Sequence, residues 1–161
     1  MEPGKQIWLL ISLIWLSAEK NASTIKELDL NTGNVTLVVN TASVVYSMAY
    51  DYENKYLYVP RSTQNDIMRL RYPPENVSTF EKIVSAGSPT AISIDQINEH
   101  LYWTDSYAFG RIGRCNFDGT NIVTIISERD VWGLAIDPTH RYVFQLRTLT
   151  LISIDSKTRV Y

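Results

Sequence analysis

The sequence is poor in the residues on which disulfide-rich, zinc-binding and nucleic-acid-binding domains depend. Its 161 residues include one Cys and two His, which excludes a disulfide framework and a Cys-rich zinc module. Fifteen Lys and Arg stand against 17 Asp and Glu, so the chain lacks the basic surplus that binds nucleic acid. With 45% hydrophobic residues, the composition is that of a folded chain. We predict no nucleic-acid partner, no metal and no cofactor.

A long apolar run is present only at the N-terminus. Lys5 precedes the apolar segment 7–16, which ends in the small residues Ser17 and Ala18. A positive charge, about 7–15 apolar residues and a small-residue exit are typical of a secretory signal peptide. A membrane span needs about 20 apolar residues. We therefore predict a signal peptide over residues 1–18; a buried strand and an uncleaved anchor are the alternatives.

Three Asn-x-Ser/Thr sequons follow the predicted signal peptide. They begin at Asn21, Asn34 and Asn76. Asn34 and Asn76 follow turn signals, Thr-Gly in one case and Pro-Pro-Glu in the other, so we expect both to lie in exposed loops. Glycosylation at these sites is expected of a protein in the secretory pathway, located outside the cell or in a cell-surface ectodomain.

The rest of the chain, residues 19–161, repeats itself. Three alternating segments end at Asp51, Asp95 and Asp137, 44 and 42 residues apart, and each precedes an apolar-aromatic segment. A second set of strand-like segments covers 25–30, 67–72, 112–117 and 149–154. Each period thus holds about four short strands and no helix, which is typical of a β-propeller blade. A β-sandwich is the alternative, but it does not require an Asp at the same place in every period.

One repeat carries a recognisable motif. From Leu101 to Ile126 the sequence reads LYWTDSYAFGRIGRCNFDGTNIVTII, and GLAIDPTHRYVF follows from residue 133. These segments resemble the class B (YWTD) repeats of low-density lipoprotein receptors. The equivalent segments 58–61 (Tyr-Val-Pro-Arg) and 144–147 (Phe-Gln-Leu-Arg) depart from the motif. The resemblance implies a six-bladed propeller, as in endocytic and Wnt co-receptor ectodomains, next to epidermal-growth-factor-like modules that this chain does not contain.

The length accounts for only part of such a ring. Six blades need about 250 residues, whereas 143 follow the predicted signal peptide. We therefore predict an all-β fold, an incomplete YWTD-type propeller of about three and a half four-stranded blades out of six. The blade-like repeats are placed at about 24–56, 57–99, 100–142 and 143–161, the third being the clearest and the last truncated. An open ring leaves strand edges unpaired, so a half-propeller that pairs with itself is an alternative to a fragment.

Candidate site residues divide into a structural set and a contact set. Residues that recur in each blade are expected to build the blade, because an active site is built once. The structural set is Tyr102, Trp103, Thr104, Asp105, Asp51, Asp95 and Asp137. Contacts with a ligand are expected from the connections after the second and fourth strands, as in similar propellers. The contact set is Arg61, Asp66, Tyr107, Arg111, Glu128, Arg129 and Trp132, a mixture that suits a protein partner.

The histidines and the cysteine leave alternatives open. His100 and His140 lie near turns, either as solvated residues or as groups that titrate at endosomal pH. Cys115 is either a small buried hydrophobic residue or the partner of a cysteine outside this chain.

Two classes of function follow. The first is a non-enzymatic extracellular protein-binding module, a fragment of a lipoprotein-receptor-related endocytic or signalling receptor, attached to a membrane only through a segment absent from this chain. The second is a six-bladed hydrolase, which needs several oxygen ligands for a metal from unlike blades. We find no such set and no nucleophile elbow, and so predict no catalytic residues and no enzyme. A self-pairing half-propeller with a structural role remains a further alternative.

Overall fold

The computed structural model describes residues 6–11, 14–19, 23–74, 79–106, 110–127, 131–137, 139, 142–147 and 150–155. These residues form β-strands in four antiparallel sheets, and no α-helix occurs among them. It follows that the described part of the chain contains no helix capable of crossing a membrane.

Each sheet takes its strands in chain order, and we call the sheets blades 1 to 4. Blade 1 consists of β1 (Gln6–Ile11), β2 (Ile14–Glu19), β3 (Thr24–Asp29) and β4 (Val35–Asn40). Blade 2 consists of β5 (Ala49–Asp51), β6 (Tyr56–Arg61), β7 (Asp66–Arg71) and β8 (Glu81–Ser85). Blade 3 consists of β9 (Pro89–Asp95), β10 (His100–Asp105), β11 (Arg111–Asn116) and β12 (Val123–Ile126). The described strands of blade 4 are β13 (Val131–Asp137), β14 (Tyr142–Arg147) and β15 (Thr150–Asp155).

The inner strands of blades 2 and 3 are buried on both sides because each of these blades packs between two others. Successive side chains of a strand point to opposite faces of its sheet. In β6, Leu57 and Val59 accordingly pack towards blade 1, whereas Tyr58 packs towards blade 3. This double burial explains why β6 and β10 contain consecutive apolar and aromatic residues, 56–60 and 101–103, rather than alternating ones.

Three apolar clusters fill the spaces between blades. The cluster between blades 1 and 2 contains Ile25, Val45, Met48, Tyr50, Leu57, Val59, Leu70 and Tyr72. The cluster between blades 2 and 3 contains Ala49, Tyr58, Ile67, Val84, Ala86, Ile92, Leu101, Trp103, Cys115 and Phe117. Between blades 3 and 4 lie Tyr102, Ile112, Ile126 and Val131. Because apolar side chains are removed from water between sheets, the blade interfaces are the hydrophobic core of the described residues.

The predicted all-β, incomplete propeller is confirmed by these sheets. The repeat ranges and the sheets differ in phase: the ranges 57–99 and 100–142 begin at the second strand of a blade, whereas the sheets begin at the first. The strand-like segments 67–72 and 112–117 correspond to β7 and β11.

The predicted signal peptide overlaps β1 and β2. In β2, Ser17 pairs with Lys26 and Ala18 pairs with Ile25 of β3. Removal of residues 1–18 would therefore leave one edge of β3 without a neighbouring strand. The signal peptide remains a prediction. Of the predicted glycosylation sites, Asn34 is exposed after the β3–β4 turn, whereas Asn21 and Asn76 lie outside the described residues.

Candidate functional site

The turns of blades 2 and 3 lie on two opposite faces, because antiparallel strands reverse direction at every turn. The face that carries the β5–β6, β9–β10 and β11–β12 turns is here named the cavity face. The opposite, connection face carries the β6–β7 turn and the segments 41–48 and 86–88 that join blades. There, Ser62 Oγ lies 2.8 Å from Ser88 Oγ, and the N–H of Ser88 donates to Asn65 Oδ1 at 2.9 Å. The connection face thus ties blade 2 to blade 3.

Two residues of the predicted contact set form an ion pair with each other. Arg61 at the end of β6 is paired with Asp66 at the start of β7. Arg61 Nε and one terminal nitrogen donate to the two oxygens of Asp66 at 2.8 and 2.7 Å, and the other terminal nitrogen donates to the carbonyl of Thr41 at 3.3 Å. The two side chains are 16% and 8% exposed. Little of either charge is therefore open to a partner protein.

A third contact residue is paired in the same way in blade 3. Arg111 at the start of β11 donates through Nε to Asp105 Oδ2 at 2.5 Å, and Asp105 is nearly inaccessible. The other carboxylate oxygen of Asp105 has no hydrogen-bond partner among the described residues. The remaining contact residues are Tyr107, Glu128 and Arg129, which lie outside the described residues, and Trp132, described only by its backbone in β13.

The YWTD motif lies inside the blade interfaces. Tyr102 packs towards blade 4, Trp103 towards blade 2, and all but 1% of each side chain is buried. Thr104 Oγ1 is 2.9 Å from Thr90 Oγ1, which links β10 to β9. The indole of Trp103 covers Gly113, where a Cβ atom would lie 2.4 Å from it. The motif residues therefore pack and bond within the blades rather than at the surface.

The other sequence candidates lie in different surroundings. His100 is half-buried with its ring edge-on to Tyr102 at 6.2 Å between centroids, and His140 lies outside the described residues. Cys115 is fully buried between blades 2 and 3, and this burial raises the pKa of its thiol to about 12. Its sulfur is held as the neutral thiol, away from solvent.

The recurring aspartates form the turns of the cavity face. Asp51 accepts the backbone N–H of Asn54 at 3.0 Å and its side-chain amide at 2.7 Å. Asp95 binds Asn98 in the same way, at 3.1 and 2.7 Å. Such side-chain bonds to nearby N–H groups stabilise tight turns. The equal positions of these aspartates in the repeat therefore reflect equal turns.

Asp51 also joins two blades, whereas Asp137, the third recurring aspartate, bonds within its own turn. Gln96 of blade 3 donates through Nε2 to Asp51 of blade 2 at 2.9 Å. Asp137 accepts the N–H of Thr139 at 3.0 Å. Asp51 consequently accepts bonds from both sides of the interface between blades 2 and 3.

A cavity of about 400 Å³ opens on the cavity face between blades 2 and 3. Its lining residues are Asp51, Asn54, Tyr56, Tyr58, Arg69, Asn98, Glu99, Asn116, Phe117 and Asp118. They come from both blades, so the cavity exists only when the two sheets are packed together. Its volume is in the usual range of ligand pockets, roughly 300–1,000 Å³.

One wall of the cavity, here named the apolar wall, consists of the rings of Tyr56, Tyr58 and Phe117, and Arg69 lies against it. Arg69 lies over the ring of Tyr56 at 4.3 Å, and donates to Glu81 at 2.8 Å and to the carbonyl of Phe117 at 3.1 Å. The hydroxyl of Tyr58 donates to the same carbonyl at 3.3 Å, and burial raises the pKa of Tyr58 to about 12. The guanidinium charge of Arg69 is thus already matched by an anion and by a ring face.

The β11–β12 turn closes the cavity from blade 3. Asn116 donates through Nδ2 to Thr120 Oγ1 at 2.8 Å, and that hydroxyl donates to Asp118 Oδ1 at 2.6 Å. These bonds from Thr120 lower the pKa of Asp118. Gly119 has φ of +84°, and a Cβ there would lie 2.2 Å from the carbonyl oxygen of Ile83 in blade 2. Only glycine permits this close approach of the turn to the neighbouring blade.

Sequence reasoning directed attention to the connection face and missed this cavity. The available signal was the spacing Asp-x-x-Asn, which occurs at 51–54 and again at 95–98. That pattern predicts equal turns, but the sequence does not show that turns from two blades meet around one space. Among the described residues, no group of three or more His, Cys, Asp or Glu side chains is arranged to hold a metal ion.

The fold and its blade interfaces define the chain as a β-propeller protein. No protein-family model matches the sequence. Among solved structures, 90% of the chain is similar to 57% of a chain in a nidogen/laminin complex, with a TM-score of 0.79 and 16% identity. A gluconolactonase from Xanthomonas campestris matches 87% of the chain over 52% of its own, with a TM-score of 0.72 and 10% identity. The chain thus spans a little over half of these two proteins.

A third similar structure has nearly the same length as this chain. The computationally designed Ika4 protein matches 96% of this chain over 93% of its own, with a TM-score of 0.67 and 13% identity. At these identities the similarities establish the fold alone. They place the chain among propellers that include both a laminin-complex protein and gluconolactonases.

Proposed function

We propose that the chain is a non-enzymatic, extracellular protein-binding module of the class B (YWTD) propeller type, as found in lipoprotein-receptor-related proteins. The observation that carries this proposal is the similarity of 90% of the chain to the propeller from the nidogen/laminin complex. The YWTD motif at the end of β10 supports it independently, because its residues pack between blades as expected of a structural repeat.

The buried carboxylates of blades 2 and 3 are engaged in turns and ion pairs, which favours protein binding over hydrolysis. A propeller hydrolase needs several unlike oxygen ligands that converge on a metal. In blades 2 and 3, Asp51 and Asp95 both bind the N–H groups of their turns. Asp66 and Asp105 are both paired with arginine. The similarity to gluconolactonases rests on the fold, whereas protein binding is supported by the fold and by the motif.

Binding and catalysis can be measured on the same preparation. The full chain would be expressed through a secretory pathway and tested by biolayer interferometry against laminin and a panel of other purified extracellular proteins. Hydrolysis of gluconolactone would be followed with and without Ca²⁺. We expect saturable binding to a member of the panel and no hydrolysis above the uncatalysed rate. Metal-dependent hydrolysis, or no saturable binding across the panel, would overturn the proposal.

A pair of matched variants identifies the face that binds the protein. Gln64 in the β6–β7 turn and Glu53 in the β5–β6 turn are both exposed, one on each face. We expect Gln64→Arg to weaken partner binding and Glu53→Arg to leave it unchanged, because the predicted contacts lie on the connection face. Binding weakened by Glu53→Arg alone would place the partner on the cavity face instead.

A further inference from the structure

We propose that the cavity between blades 2 and 3 is a second binding site, which takes a cationic group: the ammonium or guanidinium of a lysine or arginine side chain presented by a peptide or protein. The site lies on the face opposite the predicted contact set, and it does not depend on the proposed function. Three properties carry the proposal: the carbonyl acceptors of the lining, its net charge and its apolar wall.

Two asparagines of the lining each offer a carbonyl oxygen as a hydrogen-bond acceptor. The side-chain NH₂ groups of Asn54 and Asn98 donate to Asp51 and Asp95. An ionised carboxylate can only accept, so this orientation of both amides is fixed by chemistry. Each side chain keeps its carbonyl oxygen as an acceptor, together with the second N–H of its amide group. The turns of both blades therefore contribute hydrogen-bond acceptors to the cavity lining.

The third asparagine of the lining, Asn116, is oriented by a chain of hydrogen bonds that ends at a carboxylate, that of Asp118. The hydroxyl of Thr120 donates to Asp118, so it accepts from the NH₂ group of Asn116. Asn116 again keeps a free carbonyl oxygen. The bonds from Thr120 lower the pKa of Asp118, which favours its ionised form. Ammonium and guanidinium groups, which only donate, can bind to these carbonyl and carboxylate acceptors.

The charges of the lining point to the same kind of ligand. Asp51, Glu99 and Asp118 stand against the single cation Arg69, whose guanidinium is bound to Glu81 outside the lining. Asp51 is fully buried, whereas Glu99 and Asp118 are exposed. The surplus of anions attracts a cation and repels a phosphate or carboxylate.

The apolar wall suits a side chain rather than a bare ion. Phe117 and Tyr58 are buried but line the cavity, beside the Tyr56 ring that Arg69 covers. The methylene stem of Lys or Arg packs against such surface while its charged end reaches polar groups. A divalent cation has no use for this wall, and a neutral sugar gains nothing from the surplus of negative charge.

The test uses nuclear magnetic resonance of the full, ¹⁵N-labelled chain. The probes are methylguanidinium and n-butylammonium, with Ca²⁺ and methyl glucoside as comparison ligands. We expect saturable shifts of the amide signals of Asn98, Glu99 and Asn116 with both cationic probes, weaker at high salt because exposed charges are screened. Equal or stronger shifts with Ca²⁺ or with the glucoside would overturn the assignment of ligand class.

Matched variants test the location. Glu99→Gln removes a lining charge, whereas Glu53→Gln removes the same charge from an exposed residue outside the lining. We expect Glu99→Gln to weaken probe binding by about two- to five-fold, the range for one exposed charge pair, and Glu53→Gln to leave it unchanged. Equal effects of the two variants, or none from either, would show that the cavity does not bind the probes. Neither result would bear on protein binding at the connection face.

Discussion

Arg61 and Asp66 form a two-bonded ion pair across the ends of β6 and β7. Blade 3 has the same pair at the same two positions with the charges exchanged, Asp105 on the second strand and Arg111 on the third. The replacement of Tyr-Trp-Thr-Asp by Tyr-Val-Pro-Arg in blade 2 therefore preserves an ion pair. The segment 58–61 thus differs from the YWTD motif in sequence but provides an equivalent ion pair.

The exchanged pair predicts a rescue. Arg61→Asp leaves two carboxylates facing each other, and we expect it to lower the free energy of unfolding by about 3 kcal/mol, as when a buried pair loses one partner. Addition of Asp66→Arg should recover part of this loss, since the reversed pair fits in blade 3. Recovery is expected to be incomplete because Arg61 also bonds Thr41. Urea unfolding of the single and double variants measures both values. A double variant no more stable than the single one would contradict the equivalence.

The contact between Trp103 and Gly113 predicts a size limit in blade 3. A methyl group at Gly113 would overlap the indole, so Gly113→Ala should lower the free energy of unfolding by about 1–3 kcal/mol. In blade 2 the equivalent residues are Val59 and Met68, a smaller and a larger side chain. We therefore expect the double variant with Val at 103 and Met at 113 to be more stable than Gly113→Met alone. Thermal unfolding measures the stability of all three variants. A double variant less stable than Gly113→Met would show that the smaller residue at 103 does not compensate for the larger residue at 113.

Buried tyrosines predict loss of stability in alkali. Burial raises the pKa of Tyr58 from its ordinary value of 10.0 to about 12, and also raises that of Tyr72, whose hydroxyl donates to Glu27. Above pH 10 the unfolded chain releases protons that the folded chain retains, so stability is complete below pH 10 and falls as the pH rises towards 12. Tyr58→Phe should reduce this fall. Urea unfolding between pH 8 and about 11.5 measures it, and equal pH dependence in both proteins would contradict the assignment to Tyr58.

The signal-peptide prediction gives an expected N-terminus. If residues 1–18 are removed, the secreted chain begins at Glu19 and β3 has a free edge, with its contacts to blade 2 through Ile25 and Glu27 retained. We expect mass spectrometry of the secreted protein to show this N-terminus. Recovery of a peptide from residues 6–18 would instead show that β1 and β2 are kept as strands of blade 1, the buried-strand alternative.

Local patterns in the sequence by themselves determined the fold class. The spacing of Asp51, Asp95 and Asp137, the apolar strands that follow them and the YWTD motif indicated repeated four-stranded sheets. Such features can be predicted from sequence because each strand and turn depends on residues within a few positions of one another. The repeat also presents the same pattern several times. The turn role of Asp51 and Asp95 is of this local kind, since their partners are three residues away.

Only the tertiary structure decided which charges are free and where a cavity lies. Arg61, Asp66 and Arg111 are of the residue types that contact partner proteins. The strand register, however, places each of them in an ion pair with an oppositely charged side chain. The cavity joins turns from blade 2 and blade 3, which are as far apart in the chain as Asp51 and Asp118. The physical reason is that repeats fix the shape of each blade, whereas the space between blades depends on how two sheets pack.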